Sequence, residues 1–289
     1  MMTHAIINRR SLIGSAMGVA ASTILSRSAI AKTDPADFAD PKIRLTSIMK
    51  MRGATDDRLC IGYVTGMRYA VVDGVATPLF GMLAATFTRC KKAADDAYES
   101  RSFEIAYFTD LATGKLVETW TNPITNKAVS VPQNGSLMGK VLMKGTGLLP
   151  INSPMMTVME FGHQFRPAVV LGEEVSITEE IRIRNKASST GPRFRYNENT
   201  TYTAARDDLA NAKLATVPTA ISYQSLIGFS PWMGMEGIDG LNMGRGTGHR
   251  VVSAKDLPPY FLELMEKYHV DVLNDPIAAI EGKLEKKPG

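Results

Sequence analysis

The chain has 289 residues, 44% hydrophobic and 21% charged, with a formal charge of +4. That balance is too apolar for a disordered chain, and no apolar run is long enough to span a bilayer core of roughly 30 Å as a helix. Three of the positive charges are Arg9, Arg10 and Arg27. Without residues 1–31 the charge falls to +1 and no Lys/Arg block remains, which excludes a nucleic-acid binder, because phosphate backbones require clustered cations.

The first eight residues lack acidic groups, and Arg9-Arg10 directly precede Ser11, Leu12 and Ile13. The run from Leu12 to Leu25 is dotted with Gly14, Ser15, Gly18, Ser22 and Thr23, and Ala29-Ile30-Ala31 follows as a small-x-small cleavage site. This pattern predicts a twin-arginine export signal over residues 1–31, with the twin-arginine translocase as a transient partner. The mature part, 32–289, is then one domain working in the periplasm, membrane-associated if the signal is retained.

From there a short helix is predicted over Ile43–Met51. A two-residue hydrophobic period then dominates. Strands are predicted over 59–72, 79–90 and 101–109, where Phe103, Ile105 and Tyr107 alternate with Glu104, Ala106 and Phe108. The turn residues Asp110, Thr113 and Gly114 predict a hairpin into 115–121, and Asn122-Pro123 turns the chain again into 127–131. Further strands are predicted over 136–144, 155–165, 168–184, 194–205, 215–229 and 240–253. After Pro258-Pro259, the spacing of Phe261, Leu264, Met265 and Tyr268 predicts a helix that covers or plugs one end of the sheet, and the charged tail beyond Pro276 a last helix. The fold expected is mainly β, one large antiparallel curled sheet or calycin-like barrel with short N- and C-terminal helices. Cys60 and Cys90 are the only cysteines. They either pair in an oxidising compartment or remain thiols on neighbouring strands.

A barrel of this size encloses a cavity, and such cavities are apolar with a few convergent polar groups. Tyr63, Tyr107, Trp120, Tyr202, Tyr223 and Trp232 fall on strand segments, and Met155, Met156, Met159, Met233 and Met235 supply soft contacts for a planar ring. Each also serves as ordinary core. The mature part has three histidines. His163 sits at a strand end where an imidazole can act as a base. His249 closes the run Gly244-Arg245-Gly246-Thr247-Gly248, which lacks the Lys-Ser/Thr of a phosphate loop and is expected to be a mobile turn. His269 ends the last predicted long helix as a capping charge.

Arg182 and Arg184 share a strand face with Glu174, Ser176, Thr178 and Glu180, while Val175, Ile177, Glu179, Ile181 and Ile183 share the other. The charged face is either a solvated outer wall laced with ion pairs or a lumen in which Arg182 meets the ligand. Arg193, Arg195 and Asn197 with Glu198 and Tyr202 form a second polar cluster. No His/Cys cluster has metal-ligand spacing and no Gly-x-Ser-x-Gly elbow is present, so neither a zinc or iron site nor a serine hydrolase is expected. A copper site of methionines is the one metal alternative, and no cofactor is expected.

Trp120, Asn122, Pro123 and Thr125 after Thr113-Gly114-Lys115, then Pro231-Trp232-Met233 with Met235, Gly240 and Leu257-Pro258, resemble the signature of a bacterial domain family of unknown function whose members are often exported. The resemblance runs from about Arg58 to Pro276, with a compact, Met-rich departure between Pro150 and Gly172. It implies a loose connection with the breakdown of plant-derived aromatics. The function expected is a cofactor-independent lyase of lignin-derived aromatic dimers, releasing formaldehyde as a phenylcoumaran-type ring opens. His163, Tyr202 and Arg195 are the catalytic candidates. Tyr107, Trp120, Asn122, Arg182, Tyr223 and Trp232 are the substrate-binding candidates, with a small hydrophobic aromatic molecule as partner. A non-catalytic carrier of an apolar ligand is the alternative.

Overall fold

The computed structural model describes residues 35–133, 135–151, 159–185 and 195–283. The expected signal over 1–31, together with Met155, Met156 and Arg193, lies outside them. Strands β1 (Cys60–Val72), β2 (Val75–Ala94) and β3 (Ala97–Thr109) form an antiparallel meander. Asp73 and Gly74 join β1 to β2, both at positive φ, the backbone twist a two-residue hairpin requires. β4 (Thr119–Thr121) and β5 (Ala128–Ser130) pair with each other in a separate small sheet. The chain continues through β6 (Gly135–Lys144), β7 (Gly147–Pro150), β8 (Met159–Phe165), β9 (Val169–Leu171), β10 (Glu174–Asn185), β11 (Arg195–Ala205), β12 (Ala220–Ile227) and β13 (Leu241–Val251).

The hydrogen-bonded order is β7-β6-β3-β2-β1-β13-β12-β11-β10-β8, with β9 also paired to β10. The first and last strands of that path, β7 and β8, lie side by side, so the sheet is nearly closed into a barrel, and the mainly β expectation holds. Cross-strand register fixes which residues look inward. Val64 and Arg68 of β1 sit opposite Gly248 and Gly244 of β13, and Thr86 of β2 opposite Glu104 of β3.

Three groups of apolar side chains complete the structure. Helix α1 (Pro41–Arg52) starts on Asp40, whose side chain accepts the Lys42 N–H at 2.7 Å, with Pro41 at its first position. Its Leu45, Ile48, Met49 and Met51 pack with Phe165, Tyr202 and Ile221 and plug one end of the barrel. Lys50 anchors the plug, its Nζ donating to the carbonyls of Leu209 (2.7 Å) and Asn211 (2.9 Å) at the end of α2 (Arg206–Ala210). At the opposite end Phe80 and Phe108 meet Trp120, Trp232 and Met233. On the outside, α3 (Pro259–Tyr268), α4 (Val270–Asn274) and α5 (Pro276–Glu281) cover β1–β3, with Phe261 edge-on to Tyr63 and Tyr107 at 5.3 and 5.2 Å.

Several expectations are corrected. The end plug is α1, and the C-terminal helix lies on the side wall, because β1–β3 present an outward apolar row that needs cover. The glycine run 244–248 is the interior of β13, where a Cβ at Gly246 or Gly248 would meet the β1 backbone at Thr65 and Tyr63 and one at Gly244 the Arg68 guanidinium. Segment 168–184 is two strands broken at Gly172, which turns at φ 60. Leu116 makes only an isolated bridge to Thr109, and β4 pairs with β5 rather than β3. Cys60 and Cys90 are both buried free thiols.

Candidate active site

The inward rows line a cavity of about 610 Å³, within the roughly 300–1,000 Å³ of sites that hold small organic molecules. Ile181, Ile183, Phe161 and Met159 make an apolar wall on β10 and β8, and Thr86, Thr88, Ser100 and Ser102 a hydroxylated one on β2 and β3. Two polar clusters interrupt this lining.

The first sits against α1 and is held by its own partners. Glu179 accepts from Arg52 Nε at 3.1 Å, from Tyr202 at 3.2 Å and from His163 Nε2 at 2.9 Å. Burial raises a carboxyl, but here the Arg52 charge and the bonds from His163 and Tyr202 outweigh it and hold Glu179 down at about 2. His163 Nδ1 accepts the Leu148 backbone N–H at 2.8 Å, which fixes the ring proton on Nε2. Both ring nitrogens are therefore committed.

The second cluster lies nearer the tryptophan end. Glu198 accepts from Thr200 Oγ1 at 2.9 Å and from the Tyr196 hydroxyl. Burial pushes Glu198 up to about 7; the Tyr196 bond opposes this, and the charges of Glu104 and Glu179 add to it. Arg68 reaches across β13 to β12, donating to Ser225 Oγ at 3.1 Å and to the Tyr223 hydroxyl at 3.4 Å, while its buried Nε has no partner among the described residues. Gly244 makes that crossing possible, because a Cβ there would meet the Arg68 guanidinium at 2.7 Å. Glu104 projects from β3 into the same space, its carboxyl raised by burial and lowered by Arg68. A carboxyl pushed to about 7 in the same cavity as a guanidinium is suited to moving a proton and stabilising an oxyanion.

The sequence candidates separate sharply. Tyr202 and Tyr223 line the cavity. The Tyr202 hydroxyl is spent on Glu179, and its burial and that carboxylate push it far above the ordinary tyrosine range, so it is a fixed donor rather than a base. His163 sits behind Glu179, fully buried, and acts as a strut. Arg195 is exposed, opposite Arg184 on the outward face. Arg182 also points out, with a 62% exposed side chain paired to Glu180, so the charged row of β10 is the outer wall. Tyr107 faces outward under α3, sharing a 2.7 Å hydrogen bond with His269 Nδ1. Burial lowers the His269 pKa, so that imidazole is a neutral partner of Tyr107 rather than a capping charge. Trp120 and Trp232 both pack on Phe80, at 5.2 and 5.9 Å, in the end cluster. Asn122 is completely buried, its Nδ2 donating to the Met233 carbonyl at 2.8 Å and its Oδ1 accepting from Ile124 N–H at 2.8 Å. The two tryptophan-bearing motifs are thus one structural joint.

Residues 60–276 match the DUF1838 family, described as a protein of unknown function. The chain belongs to that family. No curated protein matches it. In this DUF1838 chain the matched span begins at β1 and ends at the start of α5, so it includes the cavity strands but not Arg52 of the α1 plug. The cavity residues missed from the sequence are Arg52, Arg68, Glu104, Glu179 and Glu198 as an inward group. One signal was available: Glu179 is the single charge in the row Val175, Ile177, Glu179, Ile181, Ile183, and an isolated carboxylate on an apolar face requires buried partners.

Proposed function

We propose that the barrel is a cofactor-independent enzyme that moves protons on a hydrophobic aromatic molecule, acting outside the cytoplasm after twin-arginine export. The observation carrying this reading is Glu198, a half-buried carboxyl pushed up to about 7 in the lining of a largely apolar cavity of small-molecule size. A carrier has no need of such a group, whereas general acid–base catalysis works best with a pKa near the working pH.

The reaction class is a lyase acting on lignin-derived dimers in which an aryl ether neighbours a hydroxymethyl group, as in a phenylcoumaran. Glu198 delivers the proton to the departing aryl-ether oxygen. Arg68 and the Tyr223 hydroxyl, joined at 3.4 Å, stabilise the charge growing on that oxygen. The apolar wall of β10 and β8 receives the rings.

Native protein incubated with a phenylcoumaran-type dimer, without added metal or nucleotide, is expected to release formaldehyde and leave a product lighter by that mass. Glu198→Gln should lose roughly 10²–10⁴-fold in turnover. A dimer recovered bound but unchanged replaces the enzyme with the carrier.

A further inference from the structure

We propose that Glu104 is the base of this site, taking the proton of the substrate hydroxyl while Glu198, from β11, protonates the departing oxygen. The proposal rests on reading the cavity as an acid–base enzyme site, and it adds a second catalytic group and a division of labour between two carboxyls.

Geometry distinguishes the two. Glu104 is placed in the inward row by its register with Thr86 on β2 and Ser136 on β6. No side chain or backbone group among the described residues donates a hydrogen bond to its carboxyl, and the charge that favours its ionised form is that of Arg68. Its lone pairs are therefore bare toward the cavity, which is what a base needs in order to meet a hydroxyl without first displacing a donor. Glu198 has its carboxyl engaged by Tyr196 and Thr200, which hold it in one orientation. The groups facing the pair are Arg68 of β1, Tyr196 of β11 and Tyr223 of β12, with Glu179 of β10 acting on Glu198. Burial raises both carboxyls. Arg68 draws Glu104 back toward its charged form, while on Glu198 the charges of Glu104 and Glu179 add to burial against the bonds from Tyr196 and Thr200. The bare carboxyl beside the Arg68 charge is assigned the base, and the carboxyl held by Tyr196 and Thr200 near two other carboxylates the acid.

The step balances without an outside reagent. Glu104 takes the hydroxyl proton, and the O–H electron pair becomes the second bond of the formaldehyde carbonyl. The bond from the hydroxymethyl carbon to its neighbour breaks, and its electrons form a carbon–carbon double bond to the ether-bearing carbon. The bond from that carbon to the aryl-ether oxygen breaks, and the oxygen leaves with the pair and takes the proton of Glu198. Formaldehyde and a phenol-bearing alkene result, and one proton passed from Glu104 to Glu198 resets the site.

The test uses the full native protein and its Glu104→Gln, Glu104→Ala and Glu198→Gln variants on two hydroxymethyl aryl ethers, one with a nitro group on the departing phenol. Loss of an acid matters less when the leaving oxygen is already a weak base, so Glu198→Gln should recover most of its roughly 10²–10⁴-fold loss on the nitro substrate. Glu104→Gln should lose a similar factor on both, and Glu104→Ala should regain turnover with added formate. Recovery of Glu104→Gln on the nitro substrate, or a Glu104→Ala defect that formate leaves unchanged, overturns the assignment. Infrared spectra decide it even if native protein cleaves neither ether, an outcome that removes the enzyme reading alone. The protonated-carboxyl band at neutral pH should vanish in Glu198→Gln and persist in Glu104→Gln, and the reverse pattern overturns the proposal.

Discussion

The imidazole Nδ1 of His163 accepts the backbone N–H of Leu148 at 2.8 Å, linking β8 to β7 where the barrel path has its two ends. Gly147 allows the approach, since a Cβ there would lie 2.7 Å from the His163 carbonyl oxygen. The other nitrogen serves Glu179. His163→Ala strands a backbone donor and takes one donor from a buried carboxylate, so it should cost about 3 kcal/mol in urea unfolding. Turnover of the folded fraction should stay near native. Native stability with turnover lost would return His163 to catalysis.

Glu198 makes stability depend on pH in an unusual direction. Its carboxyl is pushed up to about 7 from the ordinary 4.5, first by burial. Between those values the folded protein holds a proton that the unfolded chain has released, so stability falls as pH rises through the window. Glu179 acts in a separate range, because its contribution is lost only as pH falls from 4.5 toward about 2. Urea midpoints at the two edges of the upper window should show Glu198→Gln with a slope shallower than native by on the order of 3 kcal/mol. Parallel slopes for the two proteins would place the Glu198 pKa near its ordinary value and remove the acid.

Asn122 joins the β4–β5 hairpin to the turn at Pro231–Met233. Its Oδ1 also accepts from Thr125 N–H at 3.2 Å, beside the bonds to Met233 and Ile124. Asn122→Ala leaves these buried groups unpaired and should cost about 2–3 kcal/mol. Trp120 and Trp232 are the only tryptophans and both flank this joint, so intrinsic fluorescence reports it directly. The variant should show red-shifted emission at lower urea than native. An unchanged transition would mean that the hairpin is held by Phe80 packing alone.

The two-residue period made the strands legible because each has one face that meets a different environment from the other. It could not identify the lumen. β3 shows why: Phe103, Ile105 and Tyr107 look like an inner face, yet they are buried from outside by α3–α5, while Glu104 and Ser102 face the cavity. Both faces are covered, so hydrophobicity alone does not separate them. On β11 the inward set is Tyr196, Glu198, Thr200 and Tyr202, and Arg195 and Asn197 belong to the other parity. Grouping Arg195 with Tyr202 joined residues an odd number apart, which a strand sends to opposite sides. Arg52 was beyond reach for another reason, since its place depends on how α1 caps the barrel and not on any local pattern. The aromatic motifs were visible, but large aromatic side chains serve an end cluster as well as a ligand, and no local pattern shows that Asn122 ties the two tryptophan segments together.

Gly244 offers the most selective test of the site. Its backbone is not in the left-handed region, so alanine is tolerated conformationally, and the strand pairs on both sides remain. The added Cβ would lie 2.7 Å from an Arg68 guanidinium nitrogen and 2.9 Å from Ser225 Oγ. The guanidinium must then leave its position across β13, away from Tyr223 and Ser225 and from the place where negative charge grows on the substrate. A shift of about 1 Å at such a group costs roughly 10²-fold in rate. Gly244→Ala should therefore lower kcat by about that factor, with KM for the dimer changed much less because the apolar wall of β10 and β8 is untouched. Arg68→Lys in the same protein should add little further loss, since the alanine has already displaced the charge. Additive losses would show that Gly244 and Arg68 act independently, and unchanged kcat in Gly244→Ala would remove Arg68 from oxyanion stabilisation.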